Sequence, residues 1–470
     1  ARQTTSQALM SRQIDAAIEQ ILDDGTYSPE HFLLIKDPYN MAPLTALLVC
    51  STDAPVTLSV KILDSFGWSY EEKKPGTRHR IPVLALRCGC RNHIRLEVRK
   101  DGQAISSEQF FIRTAPLPDM LTHMVSVRRH TRPSASPLTF VFGGDTKLPY
   151  AFDETGEIRY YMSRRPKSYG LLPLSKGRFL FLGKTMCRPS FANPHAVLAL
   201  EIDYLGRCYQ EYYLPDGIHH DGGEMTPGGN LLVASEHYVE DAITEIDRKT
   251  GEIVKKLPLQ SVLSEHPYFD FYDWAHINTV SYSPVDHSVL VCARNLHSVI
   301  KIDWKTDELL WILCDTSFWS GTPYENKVLR PEPGTPFCYQ PHAAYFMDQT
   351  DTNGIRRLVI FDNHWNSRRP VKTFDKDKRS HVRIYQINEN EHSVSLDKTY
   401  ACAKTKIRSN AVVTRKRIFA MCGYLNKDIH NHSGSIVEFS RKTGKIVNRY
   451  LTYNSFYRAY PMKPDCNSLT

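Results

Sequence analysis

Four stretches of this 470-residue chain are variants of one phrase. They read LEIDYLGRCYQEY from Leu200, TEIDRKTGEIVKK from Thr244, IKIDWKTDELLWI from Ile300 and VEFSRKTGKIVNR from Val437. Each is a strand, a polar turn and a return strand, the pattern of a β-hairpin. Glu201 and Glu245 lie 44 residues apart and Glu245 and Lys301 lie 56 apart. The 137 residues from Lys301 to Glu438 leave room for two more units. A four-stranded repeat of about 40–60 residues cannot bury its apolar faces alone, and stacks as the blades of a β-propeller. Six blades are expected, starting near Leu138, Ser168, Ile218, Asp273, Phe337 and Ser409. Strands with short turns and almost no helical periodicity exclude an α/β barrel or a dinucleotide-binding fold.

The beginning of the chain is different. Ile14, Ala17, Ile18, Ile21 and Leu22 share one face of a short helix that stops near Asp24-Gly25. The strands LTALLVCSTDAPVTLSVKIL and RIPVLALRCG follow, then the hairpin HIRLEVRKDGQAISSEQFFIR with its turn at Asp101-Gly102. These suffice for a small β-sandwich. The chain turns Pro-, Arg- and Ser-rich between Pro116 and Pro137. The expected organisation is an N-terminal helix and sandwich-like β-domain (1–118), a linker (119–137) and an all-β six-bladed propeller (138–470).

The composition narrows the function classes. Net charge is +8 and the charges are dispersed, with no basic arm of the nucleic-acid-binding kind. A mild basic bias suits small anionic substrates. No apolar run is long enough for a membrane span. No GxGxxG or P-loop lies between a strand and a helix, so no nucleotide cofactor is implied. Cys88-Gly-Cys90 is too tight for a zinc knuckle, and the eleven cysteines are an odd number. The sequence starts at Ala1 rather than Met. That start leaves the compartment open.

Three expected blades open alike, with a histidine, a strand, a turn and a returning strand: HHDGGEMTPGGNLLVASEH from His219, HINTVSYSPVDHSVLVCAR from His276 and HAAYFMDQTDTNGIRRLVIFDN from His342. A turn at Pro284–His287 pairs residues whose numbers sum to about 571, which returns Arg294 beside His276. The same count sets His342 beside Asp362 and Asn363, and His220 beside Glu236 or His237. Inner strands line a propeller's channel, so these histidines and Arg294 converge at one mouth. Zinc fits three histidines, but the cation of Arg294 would repel it. Arg294 offers a planar fork for an oxyanion. One neutral histidine can be a nucleophile and another a general acid. The residues alone therefore point to transfer of an anionic group, with no metal and no cofactor.

KDPYNMAPLTAL (Lys36 to Leu47), HHDGGEMTPGGNLL, WAHIN followed by Arg294, QPHAAY and IFDN together resemble the bacterial arylsulfate sulfotransferases, over nearly the whole chain and in family order. That resemblance implies an N-terminal β-domain and a six-bladed propeller. It implies transfer of a sulfuryl group from a phenolic sulfate donor to a phenol acceptor, ping-pong through a sulfohistidine and independent of the nucleotide donor PAPS. It makes His342 the nucleophile. His276 and one histidine of HHD would bind and polarise the sulfate, and Arg294 would grip its oxygens. Spacing back from TPGG favours His220, while alignment with His276 favours His219. Asn278 and Tyr457 of FYRAY are further candidates for the substrate shell. The family includes homodimers, and the resemblance implies a periplasmic or exported protein if a signal peptide has been removed and a cytoplasmic one otherwise. The family's exported members carry a disulfide loop shortly before the nucleophile, where this chain has only Cys338. The competing readings are a non-catalytic propeller that binds anionic aromatic ligands and an aryl sulfatase that uses water as acceptor.

Overall fold

The chain is described from a computed structural model. It covers residues 6–464 and 466, apart from 147, 168–169, 186–195, 236–240, 266–272, 348–353, 368, 376, 378 and 426–431. The expected helix runs Gln7–Asp24. Ser6 caps its start by accepting the Leu9 amide, and Gly25 ends it in the left-handed region at φ 63°. Ala8, Ile18 and Leu22 face the core. The helix also reaches the propeller. Ser11 accepts the Cys208 amide at 2.9 Å, and Asp15 pairs with Arg207 at 2.6 Å.

The N-terminal domain is a six-stranded, sandwich-like unit. Its long strand, Ala46–Ile62, passes from one layer to the other. The first half pairs with Leu33–Lys36 and Gly76–Val83, and the second with Ser69–Glu71 and Arg91–Lys100. The crossover falls at Thr52–Pro55, where the pairing register slips and Pro55 has no amide hydrogen to give. Asp101-Gly102 makes the expected tight turn, with φ of 51° and 80°.

Six blades follow. The second and third share one strand, Cys208–Glu224, whose first half closes the second blade and whose second half lines the channel in the third. The four repeated phrases are outer hairpins. Their turns form because one side chain holds the amides: Asp247 accepts Lys249 and Thr250, and Asp303 accepts Lys305 and Thr306. The first charged residue of each phrase ties blades together. Glu201 holds Arg248, Glu245 accepts Trp304 Nε1 at 2.7 Å, and Lys301 pairs with Glu389.

Two boundaries differ from expectation. The segment 119–137 is not only a linker, because Val125–His130 pairs with Ile446–Thr452 as the outermost strand of the sixth blade. It reads as linker because it is an edge strand whose Arg128, Arg129 and His130 face solvent. The first blade does not begin at its innermost strand. Leu138–Phe142 pairs with Arg458–Met462, which takes the channel side. The expected start at Ser168 lies outside the described residues, and that blade's first described strand is Leu171–Pro173. Among the described residues no helix is long and apolar enough to cross a membrane.

Candidate active site

The hairpin from Ile277–Ser283 to Ser288–Ala293 has the expected register: Ser283 faces Ser288, Val280 faces Val291 and Thr279 faces Cys292. One slip at Asn278, between Ile277 and Thr279, then sets His276 against Arg294, whose amide donates to the His276 carbonyl at 3.1 Å. His342 sits at a similar slip. Pro341 faces Asp362 and Ala343 faces Phe361, so His342 bulges between them beside Asn363. His220 lies inside Cys208–Glu224, at a third irregularity, rather than before a strand. Its expected neighbours Glu236 and His237 lie outside the described residues.

Left-handed residues recur at these blade mouths. His220, His276, Gln340 and Ser409 have φ of 51°, 54°, 52° and 90°. Each turns the chain into the inner strand of its blade. A left-handed conformation costs a non-glycine residue about 1 kcal/mol or more, so these four blade mouths are held under strain by their surroundings.

The side chains meet at one end of the channel. The His220 and His276 rings lie 4.7 Å apart, and the buried Tyr457 ring is 5.7 Å from His220. His276 Nδ1 donates to Asp273 Oδ1 at 2.6 Å. His219 is fully buried behind His220. Its Nε2 donates to the Ser235 carbonyl at 2.9 Å, so its Nδ1 accepts, and His220 Nδ1 supplies the proton at 2.8 Å. His220 therefore faces His276 and Tyr457, and His219 orients it. His342 Nδ1 makes a long 3.4 Å contact with the Gln340 carbonyl. All three rings make these contacts through Nδ1. Burial first, then the charges of Arg294 and His276, hold the His342 pKa well below 6.5, with the Asn363 side chain opposing. It is a neutral histidine beside the Arg294 guanidinium.

Asn278 does not turn toward the rings. Its Nδ2 donates to the Pro341 carbonyl at 2.9 Å, and Thr279 Oγ donates to the His342 carbonyl at 2.8 Å. Both join the inner strands of the fourth and fifth blades. Asp273 was missed by the sequence reading, although its signal was an acid three residues before the histidine in DWAH.

Asp362, His364 and His381 hold potential metal-ligand atoms within 4.8 Å of one another. They do not fit a metal ion. Asp362 Oδ1 already accepts the Tyr339 and His364 amides. Its Oδ2 accepts His364 Nδ1 and Arg383 Nε, each at 3.0 Å. A dication would have to displace a guanidinium. Among the described residues Cys338 is a free thiol.

Comparison with known proteins agrees along the chain. Residues 124–458 match the arylsulfotransferase (ASST) family model, and residues 33–115 match the arylsulfotransferase Ig-like domain. The arylsulfate sulfotransferase AssT of Lelliottia amnigena is 22% identical over 451 residues, covering 70% of this chain and 73% of that protein. Its namesake from Escherichia coli O6:H1 is 21% identical over 481 residues, covering 77% and 78%. The solved structure of Citrobacter koseri AztD is 10% identical, covers 87% of this chain and 99% of its own, and overlays with a TM-score of 0.32. With family models spanning both its β-domain and its propeller, the chain belongs to the arylsulfotransferase family.

Proposed function

We propose that this protein moves a sulfuryl group between phenols by a ping-pong route through a sulfated His342, without PAPS. Family membership supports aryl sulfotransferase activity. The observation that carries the finer reading is His342 itself: a buried imidazole, kept neutral by its surroundings, beside Arg294 and His276. In the first half-reaction its Nε2 lone pair attacks sulfur. The S–N bond forms as the bond from sulfur to the aryl oxygen breaks, and the electron pair leaves with that oxygen. The guanidinium of Arg294 meets the charge that gathers on the sulfuryl oxygens.

His276 suits the general acid that protonates the departing phenolate, because the Asp273 carboxylate stabilises its imidazolium. His220 is backed by a neutral imidazole instead of a carboxylate, which suits binding of a sulfuryl oxygen. In the second half-reaction an acceptor phenol gives its proton to His276 and attacks sulfur, and the S–N pair returns to His342. Tyr457 packs against His220 as a wall. By family likeness the assembly is a homodimer, which sedimentation velocity would test.

The test uses 4-nitrophenyl sulfate with and without phenol, with no nucleotide in the buffer. Nitrophenol should accumulate beyond one equivalent only with phenol. Mass spectrometry after an acid-free quench should find an added SO3 on the peptide containing His342. Full transfer by His342→Ala would overturn the assignment. Steady release of inorganic sulfate without phenol would make the protein a sulfatase, and binding without turnover would make it a binding module.

A further inference from the structure

Beneath the histidines an ion pair crosses the channel. Asp221 follows His220 in the third blade, and Arg458 follows Tyr457 in the first. Their side chains are 7% and 4% exposed, and Arg458 Nη1 meets Asp221 Oδ1 at 2.6 Å. The other Asp221 oxygen accepts the Val280 amide at 3.0 Å, in the fourth blade. Arg458 Nη2 donates to the Asn278 carbonyl at 2.8 Å and to Thr279 Oγ at 3.2 Å. Thr279 in turn donates to the carbonyl of His342. Two charges withdrawn from water this far are expensive unless every lone pair is used, and a pair that only closed a propeller could be replaced by packed apolar side chains at no loss.

We propose that Asp221, Arg458 and Thr279 form a positioning unit that fixes His220 and His342 relative to one another across the channel. One end of this chain is the residue after His220, and the other is the main chain of His342. The unit touches no reacting atom. It sets the height of the two imidazoles, and a misplacement of about 1 Å in such a site costs on the order of 10²-fold in rate. This proposal rests on the reading of His342 as the sulfuryl acceptor.

Asp221→Asn and Arg458→Met leave a buried charge without its partner and put folding itself at risk, so the deciding substitution is Thr279→Val. It keeps the shape, leaves both charges in place and removes the one hydroxyl that joins Arg458 to His342. The experiment compares wild type, Thr279→Val, Thr279→Ser and His342→Ala with 4-nitrophenyl sulfate and phenol. The expected result is a kcat lowered about 10-fold or more in Thr279→Val, a donor KM within about threefold, and recovery of kcat in Thr279→Ser, which restores the hydroxyl. A Thr279→Val enzyme with wild-type kcat, whatever its melting temperature, overturns the proposal. So does a loss of kcat that Thr279→Ser does not recover. Transfer by His342→Ala overturns the nucleophile assignment and this proposal together. Loss of transfer in His342→Ala with an unaffected Thr279→Val overturns this proposal alone.

Discussion

Replacing Asp273 by Asn tests the proton chemistry without changing the shape of the site. The Asp273–His276 contact is short, 2.6 Å, and the two side chains are only 10% and 17% exposed. A hydrogen bond to a charged group in such surroundings contributes about 1.5–3 kcal/mol. At 1.36 kcal/mol per decade, its loss from a transition state that carries an imidazolium slows the step by about 10- to 150-fold. That full loss is expected only where the leaving group needs a proton. Phenyl sulfate expels a basic phenolate, whereas 4-nitrophenyl sulfate expels an anion that is stable unprotonated. The Asn variant should therefore lose about 10- to 150-fold in single-turnover release of phenol, but less than about threefold in release of nitrophenol. Rapid-quench measurements with both donors at saturating concentration give the two ratios. Equal losses would mean that Asp273 only places His276, and no loss with either donor would remove His276 as the acid.

Two further outcomes follow from the same site. Arg294→Gln should lower kcat by about 10²–10³-fold, the typical cost of losing one positioned donor to a developing oxyanion, and Arg294→Lys should recover only part because it cannot fork; steady-state kinetics on both variants checks this. His342 has a folded pKa below its unfolded value, so its neutral form contributes full stability above about 6.5, and that contribution is lost as pH falls from there toward the folded value, while the unfolded chain takes up the proton first. Denaturant midpoints measured from pH 7 to pH 5 should accordingly fall less in His342→Gln than in wild type, and the kcat/KM profile should show no acid limb near 6.5 from the nucleophile.

The blade count was readable because a turn that needs a capping Asp or Ser and a left-handed residue is chemically narrow. Asp247 with Gly251 and Asp303 with Asp307 meet that demand. The register of the Arg294 hairpin was readable because period-two pairing is rigid arithmetic. Local pattern did not disclose the left-handed residues His220, His276 and Gln340 or the slips close to them, since a strained φ persists only where the surrounding structure imposes it. The choice between His219 and His220 turned on one such slip. Asn278 resembled a ligand because its neighbour His276 is in the channel, yet its amide meets a carbonyl 63 residues away. The strand Val125–His130 was hidden for a related reason: its partner lies at the far end of the propeller, and its exposed face looks like a loop.

That closure has a consequence for how the protein is made. Val127 waits for Tyr450, and Val141 waits for Ala459. Contacts this distant in sequence are slow to form, and strands left unpaired meanwhile offer open edges to other chains. The ring therefore stays open throughout synthesis of its middle blades, and the most vulnerable species is a nearly complete propeller with bare first and sixth blades. Because Tyr457 and Arg458 arrive with the closing strand, the catalytic centre is the last thing to be finished. An assay of activity regained during refolding would thus report the final closure, after most of the β-structure has already returned.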